Sequence, residues 1–449
     1  MRFTLGVIAW LVVGMSGLVS AQAQAPPVSR SLTMDEAVEL AVTHSPRLAE
    51  ALARATAAQS SVSALKALAY PSASVLSQYA RQNNITEFLI PDGQGGSRVL
   101  YPNIANMFKA RAELSVPIYS FGRVASNVAA AEADVNAANA DRRAVEAQVR
   151  LDTMRAYWTL ATARESARVL VESLARTDAW VADVKAREAA GVVPPNDVLS
   201  AQAQRARQYV RLLQARNEEA IAELDLARLV GVPAGSSLHI ASPVDQALPR
   251  ASEAAALPVD ELLARALEQR AERAGLTARG EGLRQTAQAT LANLRPYATA
   301  LAWFEEAKPN TRYIPPVNEW RDSWMLDVRF VWPLFDSGRT KAQAATFVAQ
   351  AGAFDARRAE FDGLVAIEVR QRILDVEFSR AAIQASADAI AAAAEAHRVV
   401  GERFRVGVAT SAEVLDAQVA LLEAELERTR LTAGLRLSEA RLLHALGER

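Results

Sequence analysis

Cysteine is absent from the 449 residues, so no disulfide staples the fold and no N-terminal cysteine carries a lipid. Histidine occurs only at His44, His239, His397 and His444, too few and too scattered for a metal cluster. No metal or cofactor is expected. Beyond the first 25 residues no run of 18 or more apolar residues occurs, which excludes a transmembrane helix. A net charge of −1 with 22% charged residues gives nucleic acid no basic surface to bind. The sequence also lacks G-x-x-x-x-G-K-[ST], H-E-x-x-H and G-x-S-x-G, and the glycines of 92–96 precede no helix, so an enzyme is not expected.

What is present begins with a leader. Arg2 precedes an apolar stretch from Leu5 to Val19, followed by small-residue sites such as Ala23-Gln24-Ala25. That pattern reads as a signal peptide over 1–25, cleaved on export.

The remainder is a duplication. Pro117-Ile118-Tyr119-Ser120-Phe121-Gly122-Arg123 returns 216 residues later as Pro333-Leu334-Phe335-Asp336-Ser337-Gly338-Arg339. Gly191, Asp197, Val198, Leu199 and Gly231 return at the same offset as Gly407, Glu413, Val414, Leu415 and Gly447. Earlier positions keep an offset of 225: Leu32, Asp35, Glu36 and Pro71 match Leu257, Asp260, Glu261 and Pro296. The nine-residue difference falls between Pro71 and Pro117, opposite Pro296 to Pro333, and predicts a loop in each interval, at 83–102 and 305–319. The chain therefore reads as a first repeat over 26–231, a linker over 232–256 and a second repeat over 257–449. Each repeat runs helix, β-hairpin (72–119 and 297–335), long helix, turn and returning helix.

Local signals fix those elements. Thr33-Met34-Asp35-Glu36 is a capping box, and Ser45-Pro46 supplies an N-cap followed by an N1 proline. Gly122 to Ala190 is free of proline and rich in strong helix formers. As one helix its 69 residues reach about 100 Å, far beyond a globular core. Gly191 and Gly407 are placed as helix C-caps, and Pro195 or Thr410-x-x-Glu413 opens the returning helix. Leu415, Val419, Leu422, Leu426, Thr429 and Ala433 space a heptad seam.

Between the paired prolines the period becomes two. Lys109, Arg111, Glu113 and Ser115 alternate with Ala110, Ala112, Leu114 and Val116. Trp324, Leu326, Val328, Phe330 and Trp332 alternate with Met325, Asp327, Arg329 and Val331. Such segments read as transmembrane β-strands, with lipid on one face and water on the other. Trp303, Trp320, Trp324 and Trp332 are expected to form an interfacial aromatic girdle. Two hairpins give four strands per chain. A bilayer tolerates no open sheet edge and a small barrel needs about eight strands, so two or three copies must join.

Leu32-Thr33-Met34-Asp35-Glu36-Ala37, the two P-x-x-x-x-G-R junctions and the tip segments 187–202 and 403–418 resemble the TolC-type outer-membrane efflux proteins, in their unlipidated branch. The resemblance spans essentially the whole chain after the leader. It implies a mostly α fold in which duplicated antiparallel helical hairpins form an α-barrel below a twelve-stranded β-barrel made by a homotrimer. It also implies an exit channel of a tripartite efflux or type I secretion system, held in outer-membrane lipid and extending into the periplasm. Its partners would be a periplasmic adaptor (membrane fusion) protein and, through it, an inner-membrane pump of RND or ABC type. By the same resemblance Gly191, Val192, Val406, Gly407 and Val408 are adaptor-docking tips, and Asp197, Glu413 and Asp416 belong to a periplasmic gate. Ala409 and Phe404 depart from the arginine and tyrosine that lock the gate in some members. The competing class is a periplasmic adaptor-like coiled-coil protein, which would carry one helical hairpin and no tryptophan-rich strands.

Overall fold

The computed structural model describes residues 30–91, 93, 95–233, 238–241, 251, 253 and 257–448. The expected leader and most of the 232–256 linker lie outside the described residues. Strand β1 (Arg30–Leu32) leads into helices α1 (Met34–His44) and α2 (Pro46–Ala67). Strands β2 (Ser72–Arg81), β3 (Phe88–Pro91), β4 (Ser97–Tyr101) and β5 (Asn106–Tyr119) follow, then α3 (Arg123–Ala189), α4 (Pro195–Val230) and β6 (Leu238–Ile240). The second half holds α5 (Val259–Gln269), α6 (Ala271–Leu291), β7 (Tyr297–Lys308), β8 (Arg321–Val331), α7 (Arg339–Arg405) and α8 (Ser411–Ala445).

The two long helices, α3 and α7, have 67 residues each, about 100 Å at 1.5 Å per residue. The recurrent P-x-x-x-x-G-R motif explains how strand becomes helix. Phe121 and Gly122, at φ 49° and 86°, turn the chain through the left-handed region, and Ser337 and Gly338 repeat this at 58° and 82°. Arg123 and Arg339 then open α3 and α7. In the second junction the Asp336 carboxylate accepts the backbone N–H groups of Gly338 and Thr340 at 3.0 and 2.8 Å, satisfying orphan donors at the helix start.

The layer of helices is one element thick. Near the strands the order is α2, α3, α6, α7; toward the far end it is α4, α3, α8, α7. The four-stranded antiparallel sheet runs β2-β5-β7-β8. Strands and helices therefore share one sequence of neighbours, because β2 follows α2, β5 leads into α3, β7 follows α6 and β8 leads into α7. At its glycines α6 packs within ordinary van der Waals distance of both neighbours. A Cβ on Gly275 or Gly282 would lie 3.5 and 3.4 Å from the Cβ atoms of Ala140 and Ala133 on α3, and one on Gly280 would lie 3.6 Å from that of Phe354 on α7. Arg273 to Asp362, Arg279 to Asp141 and Arg284 to Asp355 pair α6 with α7, α3 and α7 in turn.

Apolar cores collect around the waist and along the helices. Leu32, Tyr157, Leu160, Leu226 and Leu238 bury the parallel β1–β6 pair against α1, α3 and α4. Leu262, Val365, Val369, Val376 and Leu442 join α5, α7 and α8. The two outer edges have no such cover. On α4, Leu199, Val210, Leu213, Ile221 and Leu224 are exposed, and on α7 so are Val348, Leu364, Ile367, Leu374 and Phe378.

Two loops differ from the sequence reading. The stretch after β2 contains the small hairpin β3–β4, which carries no helix-like or long alternating pattern to announce it. In the second half, residues 305–308 belong to β7, so the corresponding loop is 309–320.

Candidate functional site

The sheet has two unlike faces. Residues paired across antiparallel strands point the same way, so Val75, Ala112, Phe304 and Trp324 share one face while Ser74, Glu113, Trp303 and Met325 share the other. The first face continues through Leu114, Leu326, Val328 and Phe330, all exposed; Leu326 is 69% and Trp324 68% accessible. Nothing among the described residues covers this apolar band, although large apolar side chains cost roughly 1.5–3 kcal/mol each to leave in water. The opposite face carries Lys109, Arg111, Glu113, Glu305, Asp327 and Arg329. There Glu305 is buried between Lys109 at 3.1 Å and Arg111 at 2.6 Å, and the Arg111 guanidinium lies 4.3 Å from the Trp303 ring centre.

Aromatic residues mark both ends of the apolar band. At the loop end Tyr79 packs on Phe108 with ring centres 5.0 Å apart, and Phe108 lies 6.1 Å from Trp320. At the helix end Phe330, Trp332, Tyr119 and Phe335 are exposed. Residues 108 and 119 of β5 are 11 steps apart, about 36 Å along a strand, or nearer 28 Å once the strand is tilted as in a barrel. That height matches the roughly 30 Å hydrocarbon layer of a bilayer. Of the four tryptophans expected together, Trp324 lies on the apolar face and Trp320 and Trp332 flank β8. Trp303 does not join them, since the strand period turns it to the polar face beside Arg111.

The far end of the helical layer is built by two Schellman turns. The Gly191 and Val192 N–H groups donate to the carbonyls of Glu188 and Arg187, both at 2.8 Å. Those of Gly407 and Val408 donate to Phe404 and Arg403 at 3.0 and 2.9 Å. Gly191 and Gly407 hold φ +71° and +80°, with no atom within 4 Å of where a Cβ would stand. Val192, Val406 and Val408 are exposed around them. This leaves two small, apolar, sterically open knobs.

Of the three acidic residues, Glu413 is the most constrained. Its carboxylate accepts the Thr410 backbone N–H at 3.1 Å and the Thr410 hydroxyl at 3.0 Å, closing the capping box. That backbone hydrogen bond, then the hydroxyl and the Arg403 charge, hold its carboxyl below the usual glutamate range. Arg403 lies 4.0 Å from Glu413 and donates to the Val408 carbonyl at 3.2 Å. A cation thus reaches the tip from the helix side although Ala409 offers none. Asp416 lines a groove between α4 and α8 with Ser200, Gln204 and Arg207. Asp197 is in the first turn of α4 and shares no hydrogen bond or ion pair with Glu413 or Asp416 among the described residues.

Phe404, buried to 5% accessibility, binds the two hairpins together near the tip. Its ring centre is 4.7 Å from that of Trp180 on α3, and the Arg187 guanidinium sits 5.0 Å from it. Farther up, Arg164 pairs with Glu223 at 3.4 Å and Arg380 with Glu439 at 3.9 Å. The two pairs are related by the 216-residue offset. That offset was the signal by which the sequence reading could have found them.

Residues 37–232 and 316–448 match the sequence model of the family described as outer membrane efflux protein. Protein CyaE of Bordetella pertussis is 28% identical over 436 residues, covering 94% of this chain and 86% of CyaE. Among solved structures, the outer membrane protein VceC of Vibrio cholerae superposes with a TM-score of 0.73 at 20% identity, over 92% of this chain and 96% of that one. The open-state MtrE outer membrane channel of Neisseria gonorrhoeae gives 0.74 at 18%, over 92% and 89%.

Proposed function

The chain belongs to the outer membrane efflux protein family, and we propose that three copies close edge to edge into a continuous duct fed by a periplasmic adaptor. Its function is that of an outer-membrane exit channel for efflux or secretion. The single observation that carries the trimeric reading is the layer one element thick. Both edges are open at sheet level (β2 and β8) and at helix level (α4 and α7), and both helix edges are lined by exposed apolar residues. Four strands cannot close a barrel; twelve can, with the apolar band in lipid and the charged face on water.

In this assembly the loops after β2 and β7 face outside the cell and the helical tips face the periplasm. The open valine and glycine knobs at 191–192 and 406–408 receive hairpins of an adaptor (membrane fusion) protein, which couples the duct to an inner-membrane RND or ABC pump. Asp197, Glu413 and Asp416 contribute carboxylates to the periplasmic end, where low-dielectric walls focus their field on cations. The N-terminal leader delivers the chain to export and is removed. Planar-bilayer recording on purified protein tests the reading. Discrete ohmic channels are expected, and bilayers that stay silent with correctly folded, detergent-extracted protein would contradict it.

A further inference from the structure

Internal duplication fixes how one copy should pair with the next, strand by strand. Ser72 of β2 faces Ser115 of β5. Moving the first by 225 and the second by 216, the offsets read from the repeats, gives Tyr297 and Val331, and these face each other across β7 and β8. The register inside each hairpin is therefore preserved to the residue, nine-residue difference included. The junction between halves, β5 with β7, sets Ser115 opposite Leu301. Its counterpart joins β8 of one copy to β2 of another. The same offsets carry Ser115 to Val331 and Leu301 to Leu76.

We infer that β8 pairs antiparallel with β2 of a neighbouring copy in the register Val331 opposite Leu76, which rests on the ring assembly proposed above. Along this register Arg329 meets Gln78, Val328 meets Tyr79, Asp327 meets Ala80 and Leu326 meets Arg81.

Three features of the protomer agree with that register. First, faces match: Val328 and Tyr79 both belong to the apolar face, Arg329 and Gln78 both to the polar face. Second, backbone directions match. The Gln82 N–H donates to the Ala105 carbonyl at 2.8 Å, so even positions of β2 aim their hydrogen-bonding groups at β5 and odd positions aim them outward. On β8 the Asp322 and Trp324 carbonyls accept the Tyr313 hydroxyl at 3.0 Å and an Arg312 N–H at 2.8 Å, which marks even positions as outward. The register joins even positions of β8 to odd positions of β2. Third, lengths match. The 309–320 loop occupies the β8 edge at Asp322 and Trp324, so the free edge starts at Leu326, opposite Arg81, where β2 ends. The loop thus stops the pairing at its outer end and shields the remaining edge from stray strands.

Helices follow the same rule. The place of Gly275 against Ala140 and Asp141 transposes to Glu50 of one copy against Ala356 and Arg357 of the other, an opposite-charge contact.

Cysteine pairing tests the register, since the chain has no cysteine of its own. Outward even positions leave Val331 and Leu76 as a non-hydrogen-bonded pair, with Cα atoms about 4.5 Å apart, within disulfide reach. Within one copy the two positions lie three strand spacings apart, about 14 Å, and cannot join. The double variant Leu76→Cys/Val331→Cys, oxidised with copper phenanthroline in outer-membrane fractions, should give a covalent ladder of up to three chains on non-reducing gels. Gln78→Cys/Arg329→Cys, the next pair on that face, should do the same. Ser74→Cys/Val331→Cys and Gln78→Cys/Val331→Cys, each shifted by two, should remain single chains. Ladders from the shifted variants, or from none while native mass still shows three copies, would overturn the register and leave the ring. A protein with no oligomer before oxidation would overturn both.

Discussion

Gly407 and Gly447 share a left-handed backbone, φ +80° and +76°, in opposite surroundings. A Cβ at 407 would meet nothing within 4 Å. At 447 it would fall 2.9 Å from the Gln269 carbonyl carbon and 3.1 Å from the Arg270 nitrogen, backbone atoms that cannot swing aside. An L residue held in the left-handed region costs roughly 1–2 kcal/mol. Overpacking at 447 adds roughly 1–3 kcal/mol more. Thermal melts of the detergent-solubilised protein should therefore rank Gly447→Ala well below Gly407→Ala, which should sit slightly below the parent. Function should rank the other way. Gly407→Leu places a bulky side chain where the proposed adaptor hairpin must approach, at a position whose Cβ meets nothing within 4 Å in the protomer. Export in cells carrying the cognate adaptor and pump should be lost with the amount of assembled protein nearly normal, while surviving Gly447→Ala protein should still export. Normal export by Gly407→Leu would put docking elsewhere, and equal melting losses at 407 and 447 would refute the steric reasoning.

Trivalent cations should block single channels of the parent and block Glu413→Gln/Asp416→Asn less; equal block in both would dismiss the acidic ring. Because the Thr410 amide holds the Glu413 carboxyl below its usual range, block should persist at pH values where a free glutamate is half protonated. His444 is held below its ordinary 6.5 by burial first and then by the Arg270 charge, opposed by Glu272, Glu368 and Asp152. Above pH 6.5 it is neutral folded or unfolded; below it the unfolded chain takes a proton that the folded one resists, so stability should fall as pH drops. His444→Gln should flatten that part of the stability profile, and an unchanged slope would remove His444 as its source. Glu439 is 1% accessible beside Arg436 and Arg380, whereas the side chain of Glu223 is about a quarter exposed beside Arg164. Glu439→Gln should thus cost about 3 kcal/mol and Glu223→Gln about 1 kcal/mol or less, read as melting shifts of clearly different size.

Much of this molecule is written in single residues whose job is local. Gly122 and Gly338 announce the strand-to-helix junctions because only a left-handed step makes that turn. β5 and β8 alternate visibly because lipid and water press on their two faces. β2 and β7 alternate less visibly: Leu76, Leu301 and Trp303 stand on the polar face, and on β7 Ala298, Ala300 and Ala302 stand on the apolar one, so the period is blurred. That blurring hides the turn of Trp303 to the polar face. The β3–β4 hairpin has no long periodic pattern to reveal it. The order of helices across the layer depends on contacts between residues more than a hundred apart, such as Arg279 with Asp141, which propensity does not encode. At the tip the cation beside Glu413 is Arg403 from the last turn of α7, a placement set by the fold of the turn and not by the spacing around Ala409.

The account stands most directly on the number of copies in the membrane-extracted assembly. Native mass spectrometry of the protein released from outer membranes should give three times the mass of the mature chain, with no stable smaller species at the same detergent concentration. A monomer or a dimer as the dominant intact species would leave the apolar edges of α4 and α7 without the proposed partner and would contradict it.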